Sequence, residues 1–364
     1  MNQQQIIEEG QARLSMIRDS VGAIMTDGQD FGRIRQLRFT EPGMDPQVWQ
    51  LMGDMGWLGL RLPETAGGIG MGLLELTTLL EALGEGLVPE PLIEGAMAVC
   101  LLPAAPRTQA LAGETLVLPV GLPGLAAAVP VQLREGALQG VLQHVPMAQA
   151  ATDFLVYTPQ GLALLPQAAV NVSVVLTQDG GHFGSFSVTG LVPQWVLPVA
   201  EGQLQCLWDE ACLASSAYLL GVMQAAFRMT QDYLNLRVQF GRRLSSFQAL
   251  QHRMVDLYLQ IELTRAIVAK TATFMDDALA NGTELNPATV QMRQRLVSVT
   301  KIRAAQSALL VTREAIQLHG GIGYTDEADI GLFLRKAMTW LNRYGSVEAH
   351  RQRYLSLAAG PSHE

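Results

Sequence analysis

The residues best suited to chemistry in this sequence are concentrated between Leu236 and Arg253, in the stretch LRVQFGRRLSSFQALQHR. It holds four arginines, two phenylalanines and one histidine, although the chain has a formal net charge of −8. An arginine guanidinium is planar and permanently charged, so it can bind two phosphate or carboxylate oxygens at once. The alternative explanation is a solvated basic helix face, and the choice between them depends on the rest of the chain.

Composition limits the classes of protein to which this chain can belong. Hydrophobic residues make up 49% of the 364 positions and charged residues only 16%, which excludes a disordered chain or one that coats nucleic acid. A chain of this length can bury a large core in two or three domains. Its acidic balance argues against a general binder of polyanions, so we expect no nucleic-acid partner.

Cysteine usage and hydropathy indicate where the protein works. Cys100, Cys206 and Cys212 show neither metal-ligand spacing nor a CxxC motif, and their odd number disfavours a disulfide framework. The first residues, MNQQQIIEEGQ, lack the basic and apolar regions of a signal peptide. No stretch approaches the roughly 18 uninterrupted apolar residues of a membrane span. We therefore expect a soluble cytoplasmic protein without a metal site or a membrane span.

Three segments follow one another along the chain. Residues 1–113 are predicted to be mainly helical, with one helix from Pro46 to Leu58 that Asp45 caps. Residues 114–205 hold short apolar runs separated by Gly, Pro and Asp-Gly turns, which is typical of a small antiparallel β-domain. Residues 206–364 return to long helices, as in a four-helix bundle.

The helices of the third segment have recognisable patterns and ends. In the first pattern, the apolar residues Leu250, Met254, Leu257 and Ile261 alternate steps of four and three. Thr264 takes the next place in this register, and Val268 resumes the apolar series. A second helix is predicted from about Pro287 to Leu318, because Gly320 and Gly321 form a suitable C-cap. A last helix is predicted through ADIGLFLRKAMTWL.

Four stretches make the chain resemble the acyl-CoA dehydrogenase family over nearly its whole length. The first resembles the family's turn after its early helices, MGWLGLRLPETAGGIG. The second matches the Arg-x-x-Phe-Gly and Phe-Gln motif, YLNLRVQFGRRLSSFQALQHRMVDL. The third matches a Gln-x-x-Gly-Gly-x-Gly-Tyr turn and the helix after it, AIQLHGGIGYTDEADIGLFLRKA. The fourth stands where the family has a Glu-Gly-Thr segment, NRYGSVEAHR. The second and third are long and specific.

The resemblance implies a fold, a cofactor and partners. The fold is α+β, with a helical N-terminal domain, a central β-barrel-like domain and a C-terminal four-helix bundle. The cofactor is FAD, which family members bind between the β-domain and the bundle at a subunit interface. The implied partners are an acyl-CoA thioester, a homologous subunit in a homo- or hetero-oligomer, and an electron-transfer flavoprotein or similar acceptor.

The resemblance also assigns the residues that bind FAD. Arg237 would pair with the diphosphate of the FAD in a neighbouring subunit, through charge-assisted hydrogen bonds. The other residues implied are Gln239, Phe240, Leu244, Phe247, Gln248, Gln317, Gly320 and Gly321. Phe240, Leu244 and Phe247 could instead be ordinary core residues. The two glycines could instead form a plain helix C-cap, although a missing Cβ also lets a dinucleotide approach the backbone closely.

The fourth stretch departs from the family at the catalytic base. Most members remove the α-proton of the thioester with the Glu of the Glu-Gly-Thr segment, and aligning Gly345 and Ser346 with that Gly-Thr places Tyr344 at the base position. A phenol with a pKa of about 10 is a poor base at neutral pH. Glu348, one helical turn after Tyr344, is a weak candidate for the base.

Some members place the base near the start of the first bundle helix instead. Counting back from Arg237 gives Ala211 at that position, with Glu210 and Asp209 next to it. Glu210 is a candidate base, whereas Asp209 is more naturally the N-cap of that helix. The catalytic base is therefore unassigned from the sequence.

A second departure concerns the strands that hold the flavin ring of a subunit's own FAD. The corresponding stretches here are LVLPVGLPGLAA, which has no Thr or Ser hydroxyl, and GVLQHVPMAQAATDFLVY. In the second, Pro146 stands where the family has a hydroxyl residue, and proline offers neither an N–H nor a hydroxyl.

Together these features resemble the companion subunit, without the base, of heterotetrameric acyl-CoA dehydrogenases that act on steroid or similarly bulky thioesters. Such a chain completes the FAD pocket of a catalytic partner. Three alternatives stay open: a self-sufficient homo-oligomeric dehydrogenase with an atypical base, a flavin-free acyl-CoA-binding or assembly protein, and a flavin-dependent oxygenase.

Overall fold

The computed structural model describes residues 3–25, 31–124 and 131–358. The chain forms two compact units. The helical unit comprises Met1–Phe31, Leu73–Val88 and Cys212–Glu364, and the mixed unit comprises Gly32–Gly72 and Pro89–Ala211. The division into segments 1–113, 114–205 and 206–364 stays a prediction.

Eleven α-helices and ten strands occur in the described residues. The helices are α1 (Gln3–Ser20), α2 (Gly32–Leu37), α3 (Pro46–Asp54), α4 (Leu73–Glu85), α5 (Leu92–Leu101), α6 (Ala104–Leu111), α7 (Glu201–Leu236), α8 (Gln248–Ala280), α9 (Pro287–His319), α10 (Ile330–Trp340) and α11 (Val347–Ala358). The strands are β1 (Val117–Val120), β2 (Val131–Arg134), β3 (Ala137–Pro146), β4 (Asp153–Thr158), β5 (Gly161–Pro166), β6 (Ser173–Leu176), β7 (His182–Leu191), β8 (Val196–Leu197), β9 (Val238–Gln239) and β10 (Arg242–Arg243).

The helical unit is built on the long helices α7, α8 and α9. The apolar face predicted for α8 is confirmed at Leu257, Ile261 and Val268, which are all buried. Helix α9 begins after Asn286, whose side chain accepts a hydrogen bond from the Ala288 amide at 3.0 Å, and it ends at Gly320 with φ 66°. Helices α10 and α11 pack on α9, and α4 packs on α8.

Two helix boundaries differ from the predictions, and one helix is additional. Asp45 caps α3 by accepting the Gln47 amide at 2.9 Å, but the helix ends at Asp54, because Gly56 adopts a left-handed φ of 73°. The prediction that Asp209 is an N-cap is wrong, because α7 begins eight residues earlier at Glu201 and Asp209 is buried inside it. The additional helix α11 was not predicted.

The mixed unit contains two four-stranded sheets, with strand orders β1-β4-β5-β8 and β2-β3-β7-β6. The prediction of a purely antiparallel domain is wrong for β1 and β4, which pair in parallel from Val117 with Asp153 to Val120 with Val156. A long connection that contains β2 and β3 lets the chain return in the same direction. A β-barrel-like domain was expected here. Among the described strands there are instead these two sheets, and no strand pairing closes them into a barrel.

Each unit has its own core. In the mixed unit, the rings of Phe154 and Phe186 stack with centroids 4.4 Å apart, and both residues are buried. In the helical unit, Tyr218 of α7 stacks on Trp340 of α10 at 3.8 Å and donates a hydrogen bond to the Val88 carbonyl at 2.9 Å. These contacts anchor α7 and α10, the two helices that lead to the residues of interest.

Candidate functional site

Three helix ends meet at one end of the helical unit. The ring of Tyr233, in the last turn of α7, stacks on the ring of His319 at the end of α9, with centroids 4.4 Å apart. The Nε of Arg253, in the first turns of α8, donates to the Glu314 carboxylate of α9 at 3.0 Å. These contacts bring Arg237, four residues after Tyr233, to the same end as the glycines that follow His319.

His319 is a positioning residue of this end. Its Nδ1 lies 2.7 Å from the Ala315 carbonyl, one turn earlier in α9. Burial lowers its pKa from the ordinary value, which favours a neutral ring at neutral pH. Because a carbonyl can only accept, Nδ1 carries the hydrogen. A fixed neutral ring of this kind gives Tyr233 a flat apolar surface to pack against.

The segment between α7 and α8 forms a short exposed hairpin of β9 and β10. Its base is closed by the Leu244 amide, which donates to the Arg237 carbonyl at 2.9 Å. Phe240 lies at the tip with a left-handed φ of 54° and is 88% exposed, so it is not a core residue. Phe247 is half-buried, and the Arg242 guanidinium lies over its ring at 3.9 Å.

Three of the four arginines of the stretch have clearly different surroundings. Arg253 is paired with Glu314, and Arg242 is stacked on Phe247. The Arg237 side chain is exposed and makes no hydrogen bond or ion pair with any residue that the structure describes. A cation left free at the meeting point of three helix ends is available for an anion.

The glycine turn after α9 leaves room for a ligand. A Cβ built on Gly320 or Gly321 would meet no heavy atom within 4 Å. Gly320 also ends α9, so the C-cap alternative is correct for this residue and compatible with a binding role. Gln317, in the last turn, is exposed like the two glycines. A cation, an open glycine turn and an exposed amide together fit the diphosphate part of FAD.

The remaining FAD residues of the prediction lie in the same hairpin region. Leu244 is half-buried and Gln248 is exposed at the start of α8. The Gln239 side-chain amide donates to the Val238 carbonyl at 2.8 Å. Their contacts with FAD stay a prediction.

Sequence reasoning missed an exposed apolar surface at this end of the unit. Its members are large side chains that water reaches freely, namely Leu236, Val238, Ile322 and Tyr324, of which Leu236 is 80% exposed. Exposed apolar groups that cluster in this way indicate a surface covered by a partner or a ligand. The sequence offered one sign of this surface. Apolar residues stand within or next to the two FAD motifs, in LRVQF and in GGIGY.

The turn that aligns with the family's catalytic Glu lies between α10 and α11. Tyr344 is half-buried with a left-handed φ of 59°, and Gly345 follows with a φ of 113°. The Tyr344 carbonyl accepts hydrogen bonds from His350 Nε2 at 3.0 Å and from the Cys212 thiol at 3.4 Å. The predicted position therefore holds a phenol on a backbone that is anchored from within the unit.

The alternative carboxylates are placed as follows. Glu210 accepts from Arg61, with Nη2 to Oε1 at 3.2 Å and Nε to Oε2 at 3.4 Å, and Arg61 also donates to the Met71 carbonyl at 2.9 Å. Glu348 is exposed, and one of its oxygens lies 3.7 Å from Arg351 Nη1. Glu210 is thus bound on both oxygens, which leaves it poorly placed to accept a substrate proton.

In the turn after β3, three backbone amides donate hydrogen bonds to groups of this same chain. The Met147 amide donates to the His182 carbonyl at 3.1 Å, and the Gln149 amide donates to His182 Nε2 at 3.0 Å. The Ala150 amide donates to the Met147 carbonyl at 2.9 Å, and Pro146 has no N–H. Burial lowers the pKa of His182, which keeps Nε2 available as an acceptor. The Met147, Gln149 and Ala150 amides of this turn are therefore committed within the chain.

Two domain models of one family match the chain. Residues 12–104 match the N-terminal domain of acyl-CoA dehydrogenases, and residues 209–354 match their C-terminal domain. The chain belongs to the acyl-CoA dehydrogenase family. The resemblance inferred from the four stretches is confirmed, and FAD is the cofactor that this membership supports.

The chain is similar to mycobacterial members of the family. It is 29% identical to acyl-CoA dehydrogenase IpdE2 of Mycolicibacterium smegmatis, over 88% of this chain and 91% of that one. It is also 29% identical to acyl-CoA dehydrogenase FadE27 of Mycobacterium tuberculosis, over 90% of this chain and 92% of that one.

Solved structures of related assemblies share the fold. A variant of the steroid ACAD Tcur3481-Tcur3483 is 26% identical with a TM-score of 0.81, covering 97% of this chain and 99% of that chain. The ChsE4-ChsE5 complex from Mycobacterium tuberculosis is 24% identical with a TM-score of 0.81, covering 96% and 97%, and this likeness shows the fold.

The described residues provide neither a membrane span nor a metal site. None of their helices is both long and apolar enough to cross a membrane. Across residues 3–25, 31–124 and 131–358, no group of three or more His, Cys, Asp and Glu side chains could hold a metal ion.

Proposed function

We propose that this chain is a subunit of an FAD-linked acyl-CoA dehydrogenase, and that it completes the FAD pocket of a homologous partner that carries the catalytic base. The observation that carries the proposal is the exposed Arg237, without a partner among the described residues, at the end where the open Gly320-Gly321 turn also lies. A phosphate oxygen is the natural ligand for such a guanidinium.

The base position supports a companion role. The reaction needs a group that takes the α-proton of the thioester, while FAD supplies the acceptor for the hydride from the β-carbon. In this chain the aligned residue is Tyr344, and a neutral phenol is a weak base near pH 7. Glu210, the alternative, already accepts from Arg61. The proton is therefore taken by a carboxylate of the partner.

The turn after β3 supports the same role. Family members hold the flavin ring with amides and hydroxyls at this place, according to the resemblance described above. Here the Met147, Gln149 and Ala150 amides all donate within the chain, and Pro146 has no N–H to offer. These groups would have to lose their present partners before they could bind a flavin, so this chain's own flavin position is weakened.

An exposed apolar stripe on α8 supports an oligomer. Tyr258 and Leu259 follow Val255 by three and four residues, Leu263 follows Leu259 by four, and Val255 is 57% exposed. This stripe lies on the face opposite Leu257 and Ile261, and α8 is the helix that follows the hairpin carrying Phe240. A homologous subunit that covers the stripe would also bring its FAD to Arg237.

The related assemblies favour unlike subunits and a bulky substrate. The ChsE4-ChsE5 complex joins two differently named chains, and the Tcur3481-Tcur3483 protein is described as a steroid ACAD. We extend both features to this chain: a hetero-oligomer, and a steroid or similarly bulky acyl-CoA thioester as substrate. An electron-transfer flavoprotein is the proposed electron acceptor.

The test is flavin content per chain, measured with and without a co-expressed family member that carries the Glu-Gly-Thr segment. We expect little flavin in this chain alone and about one FAD per pair of unlike chains after co-expression. One FAD per chain in a preparation of this polypeptide alone would instead indicate a self-sufficient enzyme. Absence of flavin with every partner would indicate a flavin-free binding protein. Oxygen consumption with reduced flavin would indicate an oxygenase.

A further inference from the structure

A fully buried lysine lies beneath the Tyr344 turn. Lys301 of α9 has no exposed surface, and its Nζ donates to Ser215 Oγ of α7 at 3.1 Å and to the Trp340 carbonyl of α10 at 3.3 Å. Trp340 is the last residue of α10, where carbonyls lack partners within the helix and the helix dipole favours a cation. Lys301 therefore binds the end of the helix that leads into the turn.

A buried histidine holds the other side of the turn. His350 of α11 has no exposed surface, with Nε2 at 3.0 Å from the Tyr344 carbonyl and Nδ1 at 3.3 Å from Ser298 Oγ. A carbonyl can only accept, so Nε2 carries the hydrogen and Nδ1 accepts from the Ser298 hydroxyl. Burial lowers the pKa of His350 to about 4, in agreement with this neutral tautomer. The Cys212 thiol adds a second donor to the same carbonyl at 3.4 Å.

The buried ammonium is an unfavourable choice for stability alone. Burial lowers the pKa of Lys301 to about 8, and the ionisable groups that act on it are Cys212 and Arg343 rather than a carboxylate. A methionine would fill nearly the same volume without burying a charge. A costly polar group inside a well-packed core is most easily explained by a role in positioning.

We infer that Lys301 and His350 are positioning residues that hold the Tyr344 turn in its left-handed conformation, by fixing the end of α10 and the Tyr344 carbonyl from inside the helical unit. The anchor sets the direction in which the side chain of residue 344 leaves the backbone. That this is the base position rests on the proposed function, whereas the anchoring rests on the hydrogen bonds alone.

Local hydrogen exchange of the full chain tests the inference. The amides of Arg343 and Gly345 donate to the Trp340 and Asn342 carbonyls at 3.1 and 3.2 Å, so they report on the turn. In Lys301→Met we expect exchange over residues 341–346 to become roughly five- to tenfold faster, the effect of losing about one hydrogen bond. Unfolding of the whole chain should meanwhile need at least as much denaturant as in the wild type.

Three further variants separate positioning from a general effect on the core. Lys301→Gln keeps a donor without the charge and should recover most of the protection. His350→Leu removes the donor to the Tyr344 carbonyl and should loosen the same residues. Lys270→Met changes an exposed lysine of α8 and should alter neither measurement.

The result can contradict the inference in two ways. Unchanged exchange over 341–346 in both Lys301→Met and His350→Leu would show that the turn does not depend on them. Faster exchange throughout the helical unit, with lower global stability and no recovery in Lys301→Gln, would show a general structural role. Neither measurement requires FAD or a partner, so a failure here is distinct from a failure of the flavin-content experiment.

Discussion

At the scale of single residues, Arg237 is the side chain on which the proposed FAD site depends most. In the co-expressed assembly, Arg237→Ala should weaken FAD binding by about 2–3 kcal/mol, or about 30- to 150-fold, because one charge-assisted bidentate contact is lost. FAD retained after dialysis at a series of concentrations measures this affinity.

The matched control for Arg237 is Arg253, another arginine of the same stretch. Its guanidinium already pairs with Glu314, so Arg253→Ala should change FAD retention far less. Equal losses in the two variants would remove Arg237 from the site, since the effect would then follow from net charge rather than from position.

The sequence could identify some of these residues and not others. Arg237, Gln317 and the two glycines stand in long motifs, so the resemblance placed them before their surroundings were known. Lys301 and His350 belong to no motif, and their role arises only because separate helices bring their side chains to one turn. A polar residue in a helix pattern does not reveal whether it faces water or a buried carbonyl.

At the scale of elements, Lys301 should make the free energy of unfolding depend on pH. Burial lowers its pKa from the ordinary 10.5 to about 8, so the folded chain releases this proton at a lower pH than the unfolded chain. Stability linked to Lys301 must therefore rise between about pH 8 and pH 10.5, and it is lost as the pH falls through 8. The full difference is about 3 kcal/mol.

The comparison of wild type with Lys301→Met isolates this effect. The groups that act on Lys301 or share its surroundings are Cys212 of α7, Arg343 of the turn and His350 of α11, and all are present in both proteins. We expect urea midpoints to favour Lys301→Met at pH 7 and the difference to shrink at pH 10. A difference that does not change with pH would mean that folding leaves the pKa of Lys301 at its ordinary value.

The crossing of α4 and α7 gives a second prediction at this scale. A Cβ on Gly221 would lie 1.8 Å from the Glu81 carbonyl oxygen, and backbone atoms cannot move aside as a flexible side chain can. Gly221→Ala should therefore destabilise the chain by about 2–4 kcal/mol. Gly202→Ala is the control on the same helix, because an added Cβ there meets nothing within 4 Å and should stabilise by up to about 1 kcal/mol. Equal urea midpoints for the two variants would contradict the crossing.

The limits of a helix could be predicted where several local sequence signals agree. They could not be predicted, and neither could strand pairing, where contacts between distant residues determine the structure. Helix α9 has Asn286 and Pro287 at its start and Gly320 at its end, so its limits were nearly correct. The start of α7 was placed too late, because Asp209 is a plausible cap by type while Glu201–Glu210 also continues as helix. The parallel pairing of β1 with β4 depends on a long connection, for which the residues of either strand give no sign.

At the scale of the whole molecule, the proposed companion role rests on two departures from the family. The matched domain models establish the acyl-CoA dehydrogenase family, yet the base position and the turn after β3 both depart from what the resemblance implies. Two separate defects, in two compact units of the chain, are more simply explained by a missing partner than by two independent compensations within one polypeptide.

The last prediction concerns activity and the Tyr344 position. This chain alone should dehydrogenate acyl-CoA about 10²- to 10⁴-fold more slowly than the co-expressed pair, the usual effect of a missing general base. Tyr344→Glu should not restore turnover to the isolated chain, because the Met147 and Gln149 amides remain bonded to His182 and Pro146 still offers no N–H. Dye reduction by the purified chain, the variant and the pair measures all three. Turnover by the unmodified chain at the rate of the pair would contradict the companion role, since a chain that works alone has no need of a partner's carboxylate.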